Sequence, residues 1–489
     1  MRSESLPLII QGGMGVAVSD WRLARAVSTQ GQLGVVSGTA LDLVMARRLQ
    51  LGDPGGHLRR ALAVFPFEEM ADRILERYFI DGGKAPDAPF ISIPLLRAEP
   101  TQAQLELMVV SNFVEVFLAK ENHSGAVGIN YLEKIQLPTV PSIFGAMMAG
   151  VDFVLMGAGI PRHIPEVLDR LCEGQSVELP INIEGSEPDD KFVTRFDPET
   201  FTSGRIPWLE RPKFLAIVAS ATLATMLTKK SKGKVNGFII EGPTAGGHNA
   251  SPRGPLKTNS RGEPVYGARD EVDLSKFRDI GLPFWLAGSY STPARIEEAL
   301  QAGATGVQIG TAFAFCEESG LGKSIKQQGL KMSREGTTDV YTDPVASPTG
   351  FPFKILNIGG SVSDETVYRR RKRVCDLGYL RHGYKKSDGT IGWRCPSEPV
   401  ESYVEKGGKS EDTVGRKCIC NGLMANIGMP QYRKKAGNEK IIATCGDEVH
   451  EIAKFLPRDD SSGYSAKQVI DYLVSSETLA SRRKTVTTT

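Results

Sequence analysis

The chemistry in this chain gathers at residues 241–249, EGPTAGGHN. Residues 238–240, FII, read as a short buried strand that leads into this run. Gly242, Pro243, Gly246 and Gly247 then force a tight, irregular turn. Glycine lacks Cβ, so the turn's amides can lie close to a flat or anionic ligand. His248 follows just past the strand end. In an α/β barrel that end is the face on which active sites are built. A histidine held there, beside a glycine platform, can serve as a base near neutral pH. The plainer reading is a turn histidine that makes one backbone hydrogen bond.

A second group of residues suits a phosphate. LAGSYSTP (286–293) follows one apolar run, and GVQIGTAF (306–313) contains the next. Thr292 and Pro293 form a helix start, which puts Gly288 and Ser289 near free backbone amides and the positive end of a helix dipole. Gly310 and Thr311 end the following strand. Loops after the seventh and eighth strands are the recurrent phosphate site of a barrel. Ordinary turn chemistry is the alternative.

These groups need a scaffold, and the chain alternates apolar β-rich runs with helical patterns over its first two thirds. Residues 7–10 are the first run, followed by GGMG (12–15), a helix at 21–30 and a second strand at 33–36. That is a βαβ unit. Further strands are expected at 153–156, 214–218, 238–240, 284–287 and 306–309, with helices at 163–172, 220–230, 292–302 and 321–331. Three runs compete for one remaining place: 90–95, 113–118 (after a helix over 101–110) and 127–131. Eight parallel strands alternating with helices close as a (β/α)8 TIM barrel, with a doubly wound open sheet as the alternative. Residues 1–340 are read as the barrel, with insertions near 60–125 and 180–212, and 341–489 as a C-terminal extension. The polar loop 249–273 is expected to be a lid or binding loop, or else unstructured.

Composition narrows the function classes. A chain of 489 residues with 40% hydrophobic content can bury a large core, and its net charge of +2 sets up no global field for nucleic acid or membrane. No long uncharged apolar run suggests a membrane span, and the N-terminus does not read as a signal peptide, so a reducing cytoplasm is expected. Seven cysteines are an odd number for a disulfide scaffold. The basic run 369–373 reads as solvated surface.

Four of the cysteines, Cys375, Cys395, Cys418 and Cys420, fall in a glycine-rich tail with few apolar runs. Soft thiolates suit zinc or an iron–sulfur cluster, and a small segment short of core often needs a metal staple. The spacing matches no double CxxC zinc signature, and reduced, partly buried thiols are the alternative. Cys172 and Cys316 read as barrel core, and Cys445 with Asp447 and His450 as a weaker ligand group.

PLIIQGGMG (7–15), GVVSG (34–38), GINYL (128–132), VLMGAGIP (154–161), AGGHN (245–249), AGS (287–289) and QIGTAF (308–313) occur in an order and spacing that resemble the nitronate monooxygenase family, including its FMN-dependent enoyl-acyl carrier protein reductase relatives. The resemblance covers about residues 6 to 316. It implies a TIM barrel that binds FMN non-covalently. Gly13, Met14 and Gly15 would lie against the flavin, Asn130 near its ring, Gly246 and Gly247 beside it, and His248 would be the catalytic acid/base. Gly288, Ser289, Gly310 and Thr311 would hold the phosphate. The chain departs from the family in Glu241, where a glutamine near the flavin is usual, in Thr244 for a glutamate, and in GGM where Ala-Pro-Met is common. An ionised Glu241 would disfavour reduced anionic flavin, whereas a protonated one would not.

The functions expected are an FMN oxidoreductase of the nitronate monooxygenase type, or an enoyl reductase that uses NAD(P)H. A flavin-free phosphate-binding isomerase or lyase and a non-catalytic partner are the alternatives from other classes. The expected partners are a small-molecule or acyl-carrier-bound substrate, with homo-oligomerisation left open.

Overall fold

The computed structural model describes residues 6–457 and 462–474. Eight parallel strands form a closed barrel: β1 Ile9–Gln11, β2 Leu33–Ser37, β3 Val127–Leu132, β4 Phe153–Gly157, β5 Lys213–Val218, β6 Gly237–Glu241, β7 Phe284–Ala287 and β8 Gly306–Ile309. The ring closes because β1 pairs on one side with β8, Ile9 opposite Val307, and on the other with β2, Ile10 opposite Leu33. The open doubly wound alternative is thereby excluded.

Strand alternation explains why the barrel is solid. Ile10, Val35, Leu155, Leu215, Ile239 and Trp285 fill its interior. Their neighbours Ile9, Val36, Val154, Phe214, Phe238 and Leu286 face outward into the helical shell. Both faces are buried, so the strands read as continuous apolar runs rather than alternating ones. Trp285, fully buried, donates its indole N–H to Pro7 O at 2.9 Å, which satisfies the one polar atom of the largest core side chain.

The helix Trp21–Ser28 starts at Asp20, whose carboxylate accepts from the amides of Arg22 and Leu23. Arg48 bridges Asp20 at 3.1 Å and Glu115 at 2.9 Å, which ties three helices together below the first βα turn. Deleting one member of such a buried pair leaves an uncompensated charge and costs about 3–5 kcal/mol.

Two strand expectations are corrected. Residues 113–118 belong to one long helix, Gln102–Lys120, opened by a capping box between Thr101 and Gln104. That helix is buried on nearly every side, so its run of valine and phenylalanine mimics a strand. Residues 90–95 have no regular structure. Side chains hold them instead: Gln431 Oε1 accepts from Phe90 N at 2.9 Å, and Gln104 donates to Leu95 O at 2.7 Å. The third barrel strand is β3. In the basic run, Arg369, Arg370 and Lys372 are exposed as expected, but Arg371 turns inward onto Glu439 at 2.6 Å.

The chain beyond the barrel folds back over the C-terminal ends of its strands. Val340–Asp343 pairs antiparallel with Phe353–Leu356. Strand His382–Lys385 pairs with Ile391–Arg394 and, in parallel, with Ile183–Glu184 of the acidic excursion. Ile419, Met424, Ile442 and Val449 join the same hydrophobic core as the barrel shell. The expected last helix spans Ala466–Leu473, with residue 475 outside the described residues.

Gly145, in the helix Thr139–Met148, permits a close interhelical approach: a Cβ there would lie 2.0 Å from Val109 O. Glycine to alanine inside a helix normally stabilises by about 1 kcal/mol. Here overpacking should reverse the sign, so Gly145→Ala should lose about 1–3 kcal/mol in a denaturant titration. A raised unfolding midpoint would contradict this packing.

Candidate active site

The turns that follow the barrel strands surround a cavity of about 230 Å³. Gly13, Met14, Gly15, Asn130, Glu241, Gly246, Gly247, His248, Gly288, Ser289, Gly310 and Thr311 all line it. The structure thus brings together every barrel residue named from the sequence.

One wall comes from the turn after β1. Ser19 organises it by accepting from Met14 N at 2.9 Å and donating to Gly12 O at 2.9 Å. Gly13 must be glycine, because a Cβ would sit 2.5 Å from the Asn130 Cβ. Asn130 donates weakly to Gly13 O at 3.4 Å, and its Oδ1 is buried with no partner. Gln308 Oε1, on β8, is likewise buried and unpartnered. Two orphaned acceptors facing one cavity mark a place for a ligand that donates hydrogen bonds.

The far end holds Gly288 and Ser289, with φ of +101° and +61°. Such a left-handed pair turns backbone amides toward the cavity, and a non-glycine residue in this region carries strain of the kind found at ligand sites. Thr292 caps the helix Pro293–Gln301 by accepting from Arg295 N. The amide of Ser291 is already engaged by Glu448 Oε1 at 2.7 Å, and Thr311 Oγ1 accepts from Gly446 N at 2.8 Å.

His248 sits in the remaining wall. Its Nε2 lies 2.7 Å from Ser347 Oγ, which lies 2.8 Å from Thr349 Oγ1. The ring packs on Phe353 at 4.8 Å and meets Phe351 edge-on at 6.4 Å. Burial lowers the histidine to about 4, so it is neutral at physiological pH. Burial acts oppositely on Glu241 and raises it to about 8, so its carboxyl is protonated at pH 7. Two groups pushed apart in this way form a weak neutral base and a neutral acid in one cavity.

The sequence reading missed Gln308, Ser347, Thr349, Thr444, Cys445 and Glu448. Gln308 was legible as the one amide within an apolar strand. The others lie beyond residue 340, where no periodicity points toward the barrel.

The four tail cysteines also come together. Cys375, Cys395, Cys418 and Cys420 line one small cavity beside the main one. Among the described residues, no group of three or more His, Cys, Asp or Glu side chains is arranged to hold a metal ion. Cys445, Asp447 and His450 disperse: the thiol lines the main cavity, Asp447 pairs with Lys354 at 2.7 Å, and His450 is exposed. Cys316 is core, while Cys172 is half-buried.

Fold and cavity define a (β/α)8 barrel with a ligand site at the C-terminal ends of its strands. Residues 205–346 match the family model for nitronate monooxygenase, the family that the sequence motifs resemble. A probable nitronate monooxygenase of Staphylococcus haemolyticus (strain JCSC1435) is 29% identical over 130 residues, 26% of this chain and 35% of the relative. The alignment thus spans about a third of that relative's length. Among solved structures, FabK from Thermotoga maritima shares 16% identity, with 99% of this chain and 95% of that one covered and a TM-score of 0.48. A nitroalkane oxidase from Streptomyces ansochromogenes shares 15%, with 99% of each chain covered and a TM-score of 0.46. No helix among the described residues is long and apolar enough to cross a membrane.

Glu241 gives a pH prediction. Its folded value of about 8 exceeds the ordinary 4.5, so the folded chain holds a proton that the unfolded chain releases. Its contribution to stability is complete below pH 4.5 and is lost as pH rises through 8. Denaturant midpoints measured across that window should fall for the wild type and fall less for Glu241→Gln. Parallel profiles would refute a buried, protonated Glu241.

Proposed function

We propose that the chain is an FMN-dependent oxidoreductase of the nitronate monooxygenase and enoyl reductase type. The observation that carries this reading is the pair of orphaned acceptors, Asn130 Oδ1 and Gln308 Oε1, in a cavity rimmed by glycine turns. A flavin ring presents N–H donors of the kind these acceptors lack, and the turns suit its flat face and phosphate.

Gly13, Met14, Gly15, Asn130, Gly246 and Gly247 would hold the ring, and Gly288, Ser289, Gly310 and Thr311 the phosphate. FMN would supply hydride or electron exchange with substrate. The protonated Glu241 adds no negative charge beside that ring. His248 holds or moves the substrate proton, with its Nε2 linked through Ser347 to Thr349. Thr349 borders a second cavity of about 560 Å³, so the hydroxyl chain gives a proton a route out of a wall otherwise sealed by phenylalanine.

That second cavity favours a further reading, NAD(P)H-dependent reduction of an acyl-carrier-bound enoyl substrate. Ile135, Tyr379 and Leu380 border both cavities, and Lys134 and Arg381 line the outer one. The combination suits a long substrate with an anionic handle.

Denatured protein should release FMN, not FAD, and stoichiometric FAD or failure of FMN to rebind would sink the proposal. His248→Ala should keep FMN bound and slow turnover about 100- to 10,000-fold, the usual contribution of a positioned acid/base. Ser347→Ala should slow it less, with flavin content unchanged. Turnover with nitronate and oxygen, or with NAD(P)H and an enoyl thioester, separates the two readings. Full activity of His248→Ala on the accepted substrate would remove its assigned role.

A further inference from the structure

Four cysteines in the region beyond the barrel converge although the sequence scatters them. Cys375 follows the helix Glu365–Arg370, and Cys395 ends the strand Ile391–Arg394. Cys418 caps the helix Ile419–Asn426, and Cys420 lies in its first turn. All four line one cavity, with Pro348 and Asn421 between them. The Cys375 and Cys395 thiols are hydrogen-bonded to each other. All seven cysteines of the chain are free. Ordinary core packing seldom collects four thiols. The bond to Cys395, with burial, pushes Cys375 upward as a free group, and burial does the same to Cys418 and Cys420.

The surroundings are built for sulfur that carries negative charge. Asn421, 1% exposed, donates from Nδ2 to Cys418 Sγ at 3.5 Å and to Asp376 Oδ1 at 2.7 Å, while its Oδ1 is left unpartnered. Backbone groups of Tyr379 and Leu380 bond Cys420. The Arg381 guanidinium stands beside Cys375, Cys395 and Cys420. It donates to Leu96 O at 2.9 Å and Gly378 O at 3.1 Å, and has no carboxylate ion pair among the described residues. Arg371, bound to Glu439, faces Cys418. Two cations and a helix N-terminus around four thiols favour thiolates.

We propose that Cys375, Cys395, Cys418 and Cys420 bind an iron–sulfur cluster. Their sulfurs range around a cavity instead of meeting at a point, and no metal-ion geometry forms among the described residues. A single zinc requires four sulfurs at about 2.3 Å from one centre. A cluster spreads its thiolate ligands over several irons, and N–H donors to sulfur and nearby charge are the groups that tune it. The cluster would also lie next to the main cavity, since Leu377, Leu380, Ile419 and Cys420 border both.

The test is anaerobic purification of the full chain, with iron, acid-labile sulfide, zinc and flavin measured separately in one sample. Iron and sulfide should be present in equal amounts, about two to four of each per chain, with a visible absorbance that dithionite bleaches. Cys420→Ser and Cys395→Ser should lose most of the iron, and Cys172→Ser, remote from the cavity, should keep it. If the cysteine variants fail to fold, the iron and sulfide content of the wild type decides. Zinc without sulfide, or four titratable thiols with no metal after reconstitution with iron and sulfide, would overturn the proposal. Because flavin is measured independently, its absence would count against the flavin reading alone.

Discussion

The site depends on the way the chain closes its own barrel. Lys354 N donates to Gly247 O at 2.9 Å, and Gly247 N donates to Thr444 Oγ1 at 3.1 Å. Asp447 N reaches Thr244 O at 3.1 Å, and Phe353 bridges His248 in antiparallel register. Each such bond is worth only about 0.5–1.5 kcal/mol net. Together they fix a glycine turn that has little stiffness of its own. Lys354 locks the arrangement, buried between Thr342 Oγ1 at 2.9 Å and Asp447 Oδ1 at 2.7 Å.

Closure sets the electrostatics. With water displaced by Phe351, Phe353 and the returning chain, an uncompensated charge on the rim is disfavoured. The same burial therefore moves His248 down and Glu241 up. The departure from the family motif at Glu241 is then less disruptive than its formal charge suggests. A protonated carboxyl can stand in for an amide as a neutral hydrogen-bonding group, which bears on the proposed flavin chemistry. The histidine, for its part, acts through its link to Ser347 more than through a large store of basicity.

The barrel was legible because strands buried on both faces leave short apolar runs, and glycine turns mark their ends. Residues 238–249 and 286–313 needed no more than that. Residues 113–118 misled because a helix buried all round has no polar face to show its period. The Ser347–Thr349 hydroxyls and Glu448 were invisible for another reason: their roles depend on where a distant, irregular segment docks. Cysteine types were legible in the tail, but their convergence was not, since it is produced by a strand, a helix cap and a turn far apart in sequence.

The central claim is that this self-closed cavity is a flavin site. A crystal structure of the protein reconstituted with FMN tests it most directly. The account predicts ring density between Gly13 and His248, hydrogen-bonded to Asn130 or Gln308, with the phosphate on the amides of Gly288, Ser289, Gly310 and Thr311. Flavin bound elsewhere, or a cavity filled by a different ligand after reconstitution, would contradict it.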